Sequence, residues 1–245
     1  MTTVARTSLD GAHVVVFGGS TGIGLATAMA VKTRGAIVTI VGRRPAKLAA
    51  AAGEIGGAQI AVADIADRKS VEAVFDAMTR VDHLVITAGG LQAGRLIDTD
   101  PDQLLVAIDE RIAGPLYAIK AALPLIPRTG SIVLTGGQYS DRPSGNGTAV
   151  VAAAVRGVEA LARALALELK PIRVNVIAPG LIETPLFDSF GAEGRAAIFK
   201  QASDTLPGGR AGYPEEVAEA MILLLSNGYM NAEVLHIDGG GRFIG

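Results

Sequence analysis

The run Phe17-Gly18-Gly19-Ser20-Thr21-Gly22-Ile23-Gly24 carries the clearest chemistry in the chain. Glycines let a backbone approach a diphosphate closely, and a helix opening near Gly22 offers unpaired N–H groups and the positive end of its dipole to the phosphates. The run directly follows the apolar stretch His13-Val14-Val15-Val16-Phe17, which supplies the strand-turn-helix context of a dinucleotide site. Gly18, Ser20, Thr21, Gly22, Ile23 and Gly24 are its predicted contacts. About twenty residues on, where an NAD site places an acid on the ribose 2′-hydroxyl, the chain reads Gly42-Arg43-Arg44. A guanidinium there pairs with a 2′-phosphate, and the local sequence has no carboxylate to repel it. NADP(H) is therefore favoured over NAD(H), through Arg43 more than Arg44. The alternative is that the two arginines form a solvated pair ahead of Pro45.

These residues need a scaffold that brings several strand ends to one edge. Short β-branched runs alternate with Ala-rich stretches of helical length, the pattern of repeated βαβ units. Strands are predicted at 13–17, 36–41, 59–63, 83–87, 131–135, 173–178 and 233–237, and helices at 22–34, 45–53, 67–79, 101–126, 147–170 and 214–226. The fold class is α/β: a single-domain Rossmann fold over residues 1–245, with a doubly wound, mostly parallel, seven-stranded sheet and helices on both faces. Pro101 and Pro214 suit a helix first turn, with Asp100 available as N-cap to the first. The least regular stretch, 181–212, contains Gly191, Gly194, Pro207, Gly208 and Gly209 and reads as a substrate lid.

Composition narrows the function class. At 245 residues and 49% hydrophobic, the chain can bury one large core. A net charge of -2 with scattered basic residues gives no pull toward nucleic acid, so a small-molecule ligand is expected. The absence of cysteine removes disulfides and thiolate metal sites and fits a reducing compartment. The most apolar long stretch, 149–169, is broken by Arg156, Glu159, Arg163 and Glu168, so no membrane span is expected and the protein is placed in the cytoplasm.

Several spaced segments resemble the short-chain dehydrogenase/reductase family over nearly the whole chain. Asp64 in Ala63-Asp64-Ile65 resembles the family's adenine-binding acid, with Ile65 beside it. Ala88-Gly89 matches the second half of its Asn-Asn-Ala-Gly turn, where this chain has Ile86-Thr87. The run 172–180, with Pro179 and Gly180 followed by Ile182 and Thr184, is similar to the family's segment beside the nicotinamide. His236-Ile237-Asp238-Gly239-Gly240 resembles its closing strand and turn.

In that family an Asn, a Ser, a Tyr and a Lys four residues later perform acid–base catalysis. The resemblance places Arg111, Gly137, Val151 and Val155 at those positions. The valines share one helix face and cannot move a proton. A substitute is available in Gln138-Tyr139-Ser140-Asp141-Arg142, a loop expected at the carboxyl edge of the sheet. Tyr139 is the candidate acid, with Arg111 or Arg142 as the cation that brings its pKa toward neutrality. The alternative is that Tyr139 packs in the loop. His13 and His83 start strands, away from the ligand edge, and read as structural; His236 is left open. Asp109 and Glu110 read as a solvated or salt-bridged helix face.

The expected function is an NADP(H)-dependent oxidoreductase acting on a carbonyl or alcohol small molecule with an atypical active site. The alternative is a catalytically inactive NADP-binding sensor or pseudoenzyme subunit. The resemblance implies a homo-tetramer or dimer formed through 101–126 and 147–170, and Val150, Val151, Val155, Val158, Leu161 and Leu165 put apolar surface on more than one face of the second segment.

Overall fold

The computed structural model describes residues 8–244. The chain runs β1 (His13–Phe17), α1 (Gly22–Lys32), β2 (Ile37–Gly42), α2 (Pro45–Ile55), β3 (Gln59–Val62), α3 (Arg68–Phe75), β4 (His83–Ile86), α4 (Pro101–Ile108), α5 (Gly114–Ala122), β5 (Ser131–Thr135), α6 (Ala149–Glu168), β6 (Arg173–Pro179), α7 (Gly191–Thr205), α8 (Pro214–Ser226) and β7 (Val234–Ile237). All seven strands are parallel, in the order β3-β2-β1-β4-β5-β6-β7. The order reverses between β1 and β4, the crevice where open α/β sheets take ligands.

Helices on both faces explain the continuously apolar strands. Successive residues of β1 point opposite ways. Val14 and Val16 join a core with α1, α2 and α8, whereas Val15 and Phe17 join one with α3, α5 and α6. Each such buried side chain contributes roughly 1.5–3 kcal/mol relative to exposure. A one-residue slip of β1 would exchange the two sets, so its register is tightly held by packing on both sides.

Most predicted elements are present with ends shifted by a few residues, and two differ in kind. The stretch predicted as one helix over 101–126 contains a π-helical turn at Asp109–Ala113 between α4 and α5, and a 3-10 turn at Leu123–Leu125. The stretch 181–212, expected to be irregular, holds a 3-10 turn at Pro185–Phe190 and the fifteen-residue α7. Only Ala202 of α7 is buried, so this helix has no apolar stripe for a sequence reading to detect. Asp100 caps α4 by accepting the N–H of Asp102 at 2.9 Å, with Pro101 in the first turn.

His13 and His83 sit at the amino ends of their strands. His83 Nδ1 lies 2.8 Å from Ser131 Oγ, and burial pushes its pKa down to about 4, so it is neutral in the fold. No helix among the described residues is long and apolar enough to cross a membrane.

Candidate cofactor site

The turn after β1 is built so tightly that three positions require glycine. Gly18 has φ +81, and a β-carbon there would meet Thr87 Oγ1 at 2.7 Å and Ala88 N at 2.8 Å. A β-carbon on Gly24 would collide with the carbonyl oxygen of Gly18. Gly22, at φ +53, opens α1 with Thr184 against it. Gly18 N–H donates to Val41 O at 2.8 Å, and the Thr87 hydroxyl and N–H both donate to Phe17 O, at 2.8 and 2.9 Å. Thr87 thus ties the end of β4 to the turn. Thr21 at the start of α1 makes no side-chain cap, and no acid stands in the first turn. The first-turn N–H groups are left for an anion.

A cleft of about 620 Å³ opens at this carboxyl edge. Of the predicted contacts, Gly18, Ser20, Thr21, Gly22, Ile23, Gly24, Arg43, Arg44, Ile65, Ala88, Gly89 and Thr184 line it. Asp64, Pro179, Gly180 and Ile182 do not. Gly180 is packed on Asp238 with its N–H donated to Ile237 O at 2.9 Å, and Ile182 is 4% exposed in the core. The cleft also uses Lys47, Gly90, Glu110, Thr135, Leu186 and Asp188, none of which the sequence singled out as a contact. A glycine cradle that a β-carbon would fill, uncapped N–H groups and cationic side chains past β2 fit a dinucleotide carrying phosphates.

One expectation about the charges is corrected. The local sequence around Arg43 has no carboxylate, yet the fold brings in two from a distance. Arg43 Nη1 lies 3.9 Å from Asp64 Oδ2 and 3.8 Å from Glu110 Oε1. Glu110 is not a solvated helix residue either, being 5% exposed. Its Oε2 accepts the N–H of Gly90 at 2.7 Å, while Arg111 Nη2 donates to the carbonyl of the same Gly90 at 2.9 Å. Both groups come from the π turn, a local widening that often accompanies a functional site. Burial pushes the Arg111 pKa down, and Glu110 pulls it back up. Arg111 Nε is buried without a hydrogen bond among the described residues.

Thr135 at the end of β5 lines the cleft, while the positions carried over for the catalytic Ser, Tyr and Lys, with Tyr139, do not line it. Val151 and Val155 are 1% and 2% exposed and form a small cluster with Ala107 and Ala154, on which Tyr139 packs. A β-carbon on Gly137 would stand 3.9 Å from Val155 Cγ1, so the two lie side by side. Burial raises the Tyr139 pKa, and no cation offsets it. The expectation that Arg111 or Arg142 would lower that pKa is therefore corrected: Arg111 reaches Gly90, and Arg142 Nη1 donates to Gly241 O at 3.3 Å. Next in the loop, Asp141 accepts from Arg156 at 2.8 Å and lies 2.9 Å from His236 Nε2. Arg156 and His236 hold the Asp141 carboxyl below its usual pKa, against the upward push of burial. These contacts tie the loop to α6 and β7. Arg156 also donates to Glu159, a 1% exposed carboxylate of α6, at 2.8 Å.

Comparison with known proteins agrees with this geometry. The family model described as enoyl-(acyl carrier protein) reductase matches residues 18–241. The chain is 32% identical over 237 residues to 3-oxoacyl-[acyl-carrier-protein] reductase of Homo sapiens, covering 94% of this chain and 97% of that protein. It is 35% identical over 234 residues to the Bos taurus protein of the same description, covering 92% and 95%. Among solved structures, a small-chain dehydrogenase in complex with NADPH superposes with a TM-score of 0.83 at 33% identity, covering 95% of this chain and 99% of the other.

Proposed function

The chain belongs to the short-chain dehydrogenase/reductase family, and from that premise we propose that it is an NADP(H)-dependent oxidoreductase acting on a small carbonyl or alcohol compound through an atypical active site. The observation that carries the reading is the cleft itself, with its glycine cradle at one side and Arg43 at the end of β2. Bound NADPH supplies the hydride. The chain's own residues do the rest. The turn at 18–24 and the first-turn N–H groups of α1 hold the pyrophosphate. Arg43 takes the 2′-phosphate, which sets the preference for NADP(H) over NAD(H). Arg44 and Lys47 add positive charge beside it.

Tyr139, which packs on the valine cluster, is the proposed proton donor to the carbonyl oxygen; Arg111 and Arg142 are engaged on Gly90 and Gly241. Burial keeps the phenol protonated at neutral pH, the state a proton donor needs, while making it a weaker acid than a free phenol. The segment 181–212 is the proposed lid, since Leu186 and Asp188 from it line the cleft. Exposed Leu105, Leu116 and Leu167 on α4, α5 and α6 support a homo-oligomer, which light scattering at micromolar concentration tests. A chain without cysteine supports a cytoplasmic location.

The closed apolar cluster of Val151, Val155 and Tyr139 favours a second reading, a non-catalytic NADP-binding sensor or pseudoenzyme subunit. The test is NADPH consumption against a panel of ketones and aldehydes, followed together with nucleotide occupancy. Turnover supports the enzyme, and full occupancy without turnover on any acceptor supports the sensor.

A further inference from the structure

Glu110 holds a position in the cleft that no part of the reading above uses. It is 5% exposed, yet it lines the cavity. Its two oxygens are in different situations. Oε2 accepts the N–H of Gly90 at 2.7 Å and stands 3.5 Å from Gln92 Nε2, which fixes the orientation of the carboxylate. Oε1 has no hydrogen bond among the described residues; Arg43 Nη1, at 3.8 Å, is an ion-pair neighbour beyond hydrogen-bond reach. Unlike Glu159 Oε1, which is sealed in the protein, Glu110 Oε1 opens into the cleft without a donor among the described residues, so a ligand that enters can donate to it in place of water.

The surroundings identify the donor. The phosphates belong at the turn after β1 and the ribose at the end of β2, so the base extends toward the ends of β3 and β4. There the cleft is lined by Ala63, Ile65, Ala88, Gly89 and Gly90, small or apolar residues that suit the face of a base. Asp64 is the acid that the family resemblance offers for this base, but it does not line the cleft. Its Oδ1 already accepts the N–H of Ala66 at 3.1 Å, and its side chain is 42% exposed.

We propose that Glu110, rather than Asp64, reads the base: Glu110 Oε1 accepts the exocyclic amine of adenine and disfavours a base that carries an oxo group there. The proposal rests on the NADP(H) reading above. Gln92 and the π turn orient the carboxylate, and Glu110 is thereby a specificity residue of the nucleotide site.

The experiment compares binding of NADPH and of its hypoxanthine analogue, deamino-NADPH, to the full chain by nicotinamide fluorescence. The wild-type protein is expected to bind NADPH tighter by roughly tenfold or more, the scale of a hydrogen bond to a charged group. Glu110→Gln keeps an oxygen for Gly90 and turns the free acceptor into a donor, so the preference is expected to vanish or invert; because the change also removes the charge that faces buried Arg111, binding is read at a temperature where a thermal melt shows the variant folded. Asp64→Asn is expected to retain it. Equal binding of both nucleotides by the wild type overturns the proposal without any variant. A preference that survives Glu110→Gln, or that disappears in Asp64→Asn, overturns it as well. Failure of both nucleotides to bind overturns the NADP(H) reading together with this one, which separates the two failures.

Discussion

Gly24 leaves no room for a β-carbon beneath the carbonyl oxygen of Gly18, six residues earlier. Thr87 Oγ1 lies 2.5 Å from the same point, so neither neighbour can yield without opening the turn. Gly24→Ala is expected to destabilise the fold by about 1–3 kcal/mol through overpacking and to weaken NADPH binding by more than tenfold. Denaturant melts and nucleotide titration check it, and an unchanged variant on both counts refutes the tight-turn account.

Much of this site is readable along the chain, because the turn, Arg43 and Ala88-Gly89 are local signals attached to strand ends. What is not readable is what distant elements bring to those ends. Glu110 lies 24 residues past the end of β4, far from any strand-end signal that would mark it, and reads as one more polar helix position; only the π turn and the Gly90 loop bury it in the cleft. Asp64 and Glu110 approach Arg43 across the fold, so local sequence could not show that the arginine has acidic neighbours. The helix α7 escaped notice because it buries one residue and carries two glycines in its first turn, where periodicity is uninformative.

Arg43 stands 64% exposed at the end of β2 with two carboxylates near 4 Å, so its guanidinium is free to turn toward a phosphate. Arg43→Ala is expected to cost roughly tenfold in NADPH affinity and to leave NADH affinity nearly unchanged. Raising the salt concentration is expected to reduce the NADPH affinity of the wild type more than that of the variant. Equal losses for both nucleotides would assign Arg43 a structural role.

Tyr139 lies on the valine cluster, and its phenol has no hydrogen bond among the described residues. Replacing it by Phe is expected to change stability by less than about 0.5 kcal/mol and to leave NADPH affinity intact. Turnover with a carbonyl acceptor is expected to fall by about 10², the lower range for loss of a general acid. Full turnover in the variant removes Tyr139 from the mechanism.

Stability should depend on pH through His83, which is 2% exposed and has its pKa depressed to about 4 from 6.5. Between these values the unfolded chain binds a proton that the folded chain does not, so stability is full above pH 6.5 and falls as the pH drops toward 4. The expected loss is on the order of 3 kcal/mol over that window. Glu216, held down to about 2 chiefly by its hydrogen bond to Arg210, contributes stability that is full above pH 4.5 and is lost as the pH falls from there toward 2, so it adds to the decline only below pH 4.5. Chemical denaturation at a series of pH values checks this, and a flat profile from pH 6.5 to 5 contradicts it.

The central claim, that this chain is built around an NADP(H) site, is tested most directly by titrating the purified protein with NADPH and, separately, with NADH while following nicotinamide fluorescence. The account predicts saturable binding with a clear preference for NADPH. Absence of binding by either nucleotide would contradict it, leaving the glycine turn and Arg43 as features of the fold alone.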